Sequence, residues 1–278
     1  MGASLLVLAG VAVLGALLWR YVQSLDSDRK LAIKDAINGV LVSAEARGLF
    51  PAAPAFERDY LNDYPQFKIL EDNYPVIREE CARLLALKEK MTDMEMLGGD
   101  YTAGGIHTVQ WKTFLFKSGK FIEDNCRLAP RTAELLRRIP NLYTAFFSIL
   151  DPHQHIAPHF GYYKGFLRYH LGVIIPHDNA AGCCYLRVNA NPADNARREC
   201  SLINKGETYY WKNGEGVMFD DTFLHDAHND SDEVRVVLWL DVARRLPWHL
   251  HLFNKLVLFI AHQEESVKQA RRRATLDL

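Results

Sequence analysis

Polar and apolar positions alternate with a period of two through Leu167-Arg168-Tyr169-His170-Leu171-Gly172-Val173. A β-strand there places Arg168 and His170 on one face and Leu167, Tyr169, Leu171 and Val173 on the other. Similar strand-like runs cover Gly104 to Phe116, Leu142 to Leu150, Cys184 to Val188, Thr208 to Tyr210, Val217 to Phe219 and Val234 to Val242, with turn signals at Asn213-Gly214 and Gly216. A helical period instead marks Asp26 to Gly48, Val76 to Lys90 and Pro130 to Arg138. Asp151 to Pro158, which holds Pro152 and Pro158, reads as a loop. Short strands framed by helical ends predict a mainly β fold with flanking helices. The specific expectation is a double-stranded β-helix (jelly-roll, cupin-like) of about eight strands, its core at about residues 105–245.

The ends of the chain differ from this middle. Residues 2–19 are apolar and uncharged, and at about 1.5 Å per residue they would span about 27 Å as a helix, close to the thickness of a bilayer core. No basic residue precedes the run and Trp19-Arg20-Tyr21 is a poor cleavage site, so an N-terminal transmembrane helix over residues 2–22 is expected rather than a signal peptide. Arg20, Arg29, Lys30 and Lys34 all follow it, which places the remainder on the cytoplasmic side of a single-pass membrane protein. Residues 23–60 form a helical linker region ending in the stiff Pro51–Phe56 stretch. Residues 246–278 read as an amphipathic helix at the membrane surface, with Trp248, Phe253 and Phe259 in lipid and Arg244, Arg245, Lys255 and Arg271 to Arg273 toward head groups.

A net charge of −1 gives no electrostatic reason to expect a nucleic-acid partner. The five cysteines are odd in number and lack CxxC spacing, which fits a reducing compartment better than a disulfide framework or a cysteine-ligated metal.

The chemistry lies in the strands. Arg235 interrupts an apolar run, and of the nearby acids only Asp241 shares its face. A buried guanidinium is costly unless paired, so a bound anion is the expected compensation. Imidazoles recur at His153, His155, His159, His170, His225 and His228. Two histidines on separate strands followed by an arginine on the next suit an Fe(II) ion with open positions and a dicarboxylate gripped at its far end. His225 and His228 compete for the second ligand position; the ten-residue step to Arg235 favours His225.

The segments FSILDPHQHIAPH, LRYHLGVIIP, GEGVMFDDTFLHDAHND and VRVVLWLDV resemble the aspartyl/asparaginyl β-hydroxylase family of Fe(II)/2-oxoglutarate-dependent oxygenases, which includes bacterial lipid acyl-chain hydroxylases. The resemblance implies an oxygenase domain over residues 61–245 that uses Fe(II), 2-oxoglutarate and O2. It implies His159 and His225 as metal ligands, Arg235 and Ser148 on the distal carboxylate of 2-oxoglutarate, and Arg168 and His170 near its chelating end. His155 and Asp221 are read as supports of the site, Trp111 and Phe166 as substrate-facing positions. Where most such oxygenases carry a carboxylate two residues after the first histidine, this chain has Gly161, as the animal peptidyl-aspartyl hydroxylases do. The implied reaction is hydroxylation of an unactivated C–H, in a membrane lipid acyl chain or, alternatively, at the β-carbon of Asp or Asn in a peptide. A barrel that binds a dicarboxylate or a partner without catalysis is the remaining alternative.

Overall fold

A computed structural model describes residues 27–98 and 109–276. The expected transmembrane segment at 2–22 and the start of the expected first strand at 104–108 lie outside the described residues; among those described, no helix is long and apolar enough to cross a membrane. Eight strands form the centre: β4 (Leu142–Leu150), β5 (Gln154–Phe160), β6 (Phe166–Ile174), β7 (Cys184–Asn189), β8 (Glu207–Tyr210), β9 (Gly216–Phe219), β10 (Leu224–Asn229) and β11 (Arg235–Ala243). They pair antiparallel as β4 with β11, β5 with β10, β6 with β9 and β7 with β8, the pattern of a long hairpin rolled into two sheets. This is the jelly-roll arrangement expected from short strands framed by helical ends. Short strands β1 (Thr92–Asp93) and β3 (Lys120–Phe121) flank β2 (Trp111–Ser118), which pairs with β4 and widens one sheet. Among the described residues one sheet therefore has seven strands, the other the order β5-β10-β7-β8.

Alternation sends each strand's side chains to two different cores. On β11, Val236, Leu238, Leu240 and Val242 join Ala145, Phe147 and Ile149 of β4 under the helices. Val237 and Trp239 face the other sheet with Phe146, Leu150, Ile156, Leu186 and Phe219. Each fully buried side chain of this size stabilises by about 1.5–3 kcal/mol, so the period-two pattern specifies the register strongly.

Helices cover the outer face of the wide sheet. In α2 (Tyr74–Leu85), Pro75 sits in the first turn and Ile77, Cys81 and Leu84 form the buried stripe, with Glu80 beside them. The Glu80 carboxylate accepts from the backbone N–H of Arg131 (3.0 Å) and Thr132 (2.7 Å), capping the start of α3 (Pro130–Arg137). α1 (Ser27–Ala46) packs through Leu41 and Ala44 beside α4 (Trp248–Ala261), which contributes Leu250 and Leu258 to the same cluster.

Several expectations change. Pro51–Phe56 is no free spacer: Phe50 and Phe56 are buried, and Glu57 bridges to Met218 of β9. Asp151 to Pro158 is a loop only as far as His153, because β5 begins at Gln154. The C-terminal region is two helices, α4 and α5 (Glu265–Ala274). Phe253 joins the packed cluster, Arg244 is buried, and Arg271 donates to the Ser118 carbonyl of β2 at 2.8 Å. These three do not face outward to lipid.

Candidate active site

His159 of β5 and His225 of β10 are direct cross-strand partners, so their side chains share the face between the sheets. Their ring centroids lie 4.1 Å apart. Each Nδ1 is 2.8 Å from the backbone carbonyl two residues earlier, Ala157 for His159 and Phe223 for His225. A carbonyl only accepts, so both Nδ1 atoms carry the proton and both Nε2 atoms keep a lone pair. Burial, chiefly desolvation, pushes the pKa of His159 down and that of His225 well below the ordinary range. Two neutral imidazoles, with tautomers fixed by backbone acceptors, are suited to share one metal ion.

The alternative ligand, His228, points the other way. Along β10, His225 and His228 differ by an odd number of residues and face opposite sides; His228 pairs with His155 on the outer surface of the same two strands. His155 and His159 are four apart and would share a face in a regular strand. A bulge separates them: Ala157 and Pro158 together oppose Asp226, and the extra residue reverses the alternation. His155 is therefore not a support of the inner pair.

The space between the sheets is lined by Trp111, Ser148, Arg168, His170 and Arg235 as well as the two histidines. Arg235 is fully buried, its guanidinium 4.6 Å over the Trp211 ring and Nη1 3.5 Å from Ser148 Oγ. Ser148 Oγ also accepts from Trp111 Nε1 at 2.8 Å. Among the described residues Arg235 has no carboxylate partner, and burial draws its pKa down to about 10. Asp241, the acid on its face, bonds instead to Arg168 Nε (2.9 Å) and Trp239 Nε1 (3.1 Å). Four nitrogens lining the space are buried without a hydrogen-bond partner in the described structure: Arg235 Nε, Trp211 Nε1 and both nitrogens of His170. Burial and the neighbouring Arg168 and Arg235 push the His170 pKa well down, so the ring is neutral and presents one N–H. A lining with three such donors and a cation at its base matches an anion with several oxygens.

Arg168 is already engaged. Nη2 is 2.8 Å from Asp221 Oδ2, Nε bonds Asp241, and the guanidinium lies 3.8 Å over the Trp239 ring. Asp221 is pushed up to about 6 by burial, which outweighs the pull of Arg168. It also bears on Gly161: a Cβ there would sit 2.2 Å from Asp221 Oδ2 and 2.5 Å from its backbone oxygen, so position 161 admits no side chain and a carboxylate cannot come from it. Phe166 falls outside the pocket lining. It lies at the end of β6 opposite Ala243 and packs on Tyr143 (4.9 Å) and Tyr163 (5.6 Å) beneath α4.

Trp211, Phe219 and Trp239 line the space but were not singled out in the sequence. Trp239 was accessible to that reading, being four residues after Arg235 on the same strand; Trp211 precedes β9 with no periodic signal. A second missed feature is a buried ion network beside the site, in which Asp220 meets Arg244 and Lys164 (2.9 Å), and Lys164 reaches Glu45 of α1 (2.7 Å).

The sequence pattern described as Aspartyl/Asparaginyl beta-hydroxylase matches residues 71–245, more than half of the chain. The chain belongs to the aspartyl/asparaginyl β-hydroxylase family. This family member is 33% identical over 199 residues to an ornithine lipid ester-linked acyl 2-hydroxylase of Rhizobium tropici, covering 71% of the chain and 64% of that relative. It is 28% identical over 191 residues to human aspartyl/asparaginyl beta-hydroxylase, covering 66% of the chain and 21% of the human protein. The hydroxylase-family chain thus spans less than two thirds of either relative's own length. Among solved structures, a non-heme alpha-ketoglutarate-dependent carbocyclase from nogalamycin biosynthesis is similar at 14% identity and a TM-score of 0.39, covering 62% of this chain and 75% of that one.

Proposed function

We propose that this chain is an Fe(II)- and 2-oxoglutarate-dependent hydroxylase acting on a membrane lipid acyl chain. The observation that carries the reading is the joint arrangement, around one space between the sheets, of two imidazoles with free Nε2 lone pairs and a buried guanidinium without a carboxylate partner among the described residues. His159 and His225 would hold Fe(II). Arg235 would grip the distal carboxylate of 2-oxoglutarate, with Ser148 assisting. The bound pair supplies O2 activation, by which 2-oxoglutarate, O2 and R–H become succinate, CO2 and R–OH.

The protein's part is positional. The Ala157 and Phe223 carbonyls hold the imidazoles in orientation, while the His170 N–H and Trp211 Nε1 are free to donate to the co-substrate. Ile156, Leu186, Phe219, Ala227 and Trp239 wall the space with apolar surface and keep bulk water from the reacting carbon. Asp241 and Asp221 hold Arg168 at the wall, so Arg235 remains as the lining guanidinium without a carboxylate partner among the described residues.

Two observations favour a lipid over a peptide. The Rhizobium relative, named for an acyl 2-hydroxylase, is the more similar of the two hydroxylases compared. The second is the outward face of α4, where Trp248, Leu252, Leu256 and Phe259 recur at helical spacing and are 79%, 64%, 57% and 64% exposed. α4 packs beside α1, the helix that follows the apolar run at residues 2–19, so the ridge suits contact with the same bilayer.

The reading is tested by incubating full-length protein with Fe(II), 2-oxoglutarate and a total lipid extract. Succinate release coupled to a gain of one oxygen in an acyl chain is expected. A peptide library hydroxylated while lipids remain unchanged would replace the lipid reading; no succinate with either would refute catalysis.

A further inference from the structure

The strand pair that carries His159 and His225 inside carries a second pair of imidazoles outside. His155 and His228 are cross-strand partners on the outer face of β5 and β10, with ring centroids 4.3 Å apart. Asp230 follows His228 by two residues, and its Oδ1 is 2.7 Å from His155 Nε2. One nitrogen from each ring and one Asp230 oxygen lie within 4.8 Å of one another. We propose that His155, His228 and Asp230 bind a divalent transition ion of the zinc class, at a site separate from the His159–His225 pair between the sheets.

The surroundings prepare this cluster for a cation. His228 Nε2 is 3.1 Å from Asp226 Oδ2, and Tyr185 stacks on the ring at 4.5 Å between centroids, fixing its orientation. With Nε2–H donated to Asp226, the lone pair falls on Nδ1, which is buried and lacks a hydrogen-bond partner in the described structure. A histidine whose other nitrogen is held by a carboxylate is the usual state of a metal ligand. Arg187 is the nearby cation that would oppose an ion. Its charge is taken up by Asp226, which accepts from Nε at 3.0 Å and again from Nη2, and the 3.4 Å approach of Nη2 to His228 Nε2 is the weaker contact. Two imidazoles and one carboxylate suit zinc, with water completing four-coordination. His155 and Asp230 are each partly exposed, so the position is open to solvent.

The two sites sit on opposite sides of one sheet, and variants separate them. Metal-stripped full-length wild type, His225→Ala, His155→Gln and the double variant are equilibrated with Zn²⁺, and bound zinc is counted per chain after gel filtration. The expected result is a zinc equivalent that persists in His225→Ala and is absent from the His155→Gln/His225→Ala double variant, with His155→Gln alone holding one equivalent less than wild type. His155 is half-exposed, so its replacement should not disturb folding, and the melting curve in chelator checks this. Substituting Co²⁺ in the His225→Ala protein provides a second measurement, expected to give the visible absorption of a nitrogen- and oxygen-ligated ion. His155→Gln holding as much zinc as its parent, or His225→Ala taking up neither ion, would overturn the proposal. Because the outer ion is read in a protein whose inner pair is broken, its presence or absence does not depend on the hydroxylase reading.

Discussion

Arg235 combines full burial, a depressed pKa and no carboxylate partner among the described residues, a state that costs stability in the absence of an anion. Arg235→Met is accordingly expected to match or exceed the parent in urea midpoint while losing stabilisation by 2-oxoglutarate. The parent should gain about 2.7 kcal/mol at a hundredfold excess over Kd. A lower midpoint for Arg235→Met would mean that the guanidinium is already satisfied within the fold. Gly161 predicts the opposite kind of result. A methyl group there meets the Asp221 backbone as well as a carboxylate held by Arg168, so Gly161→Ala should cost about 1–3 kcal/mol by overpacking, measured by the same denaturation. At this scale the sequence was partly legible. Period two placed Arg168 and His170 together, and a charge inside an apolar strand exposed Arg235. The ten-residue step to Arg235 favoured His225 over His228, but the choice of His159 over His155 was not legible from spacing, because the β5 bulge puts residues four apart on opposite faces. Phe166 shares the parity of Arg168 but stands at the end of β6, outside the lining of the space between the sheets.

Among the elements, β5 was the one most disguised. Pro152 and Pro158 argued for a loop, yet Pro152 precedes β5 and Pro158 sits at a bulge in an edge strand, where proline is tolerated. The interior strands β6 and β11, with both faces covered, were readable throughout. The ion network that joins elements was invisible in one dimension: Asp220 precedes β10, Lys164 precedes β6, Arg244 follows β11, and Glu45 belongs to α1. Burial would raise the Asp220 carboxyl, but Arg244 and Lys164 more than offset it and hold its pKa below the ordinary 3.8. The folded pKa is thus depressed, so the stabilisation is complete above about pH 4 and is lost as pH falls through the folded value. Asp220→Asn should lower stability at neutral pH by about 3–5 kcal/mol, since it leaves two buried cations short of a counter-charge. It should also flatten the acid limb of the stability–pH curve. An unchanged acid limb in Asp220→Asn would count against this account.

For the molecule as a whole, the described residues present an apolar ridge on α4, which packs beside α1. Leu252→Ser combined with Phe259→Ser should weaken cosedimentation with phospholipid vesicles severalfold. Both side chains are largely exposed, so each change should move folding stability by no more than about 0.5 kcal/mol. Vesicle binding equal to the parent's would assign the ridge to another partner. The extra residue in β5 has a consequence for such measurements. Shortening the strand by Ala157 would leave His155 and His159 opposite their present neighbours, since two residues now stand against Asp226 where one suffices. It would, however, replace the Ala157 oxygen that steadies the His159 ring with that of Ile156, carried by a strand without the bulge, and so loosen the hold on that imidazole. The damage would then register as an ion that leaks away from a barrel still soundly built.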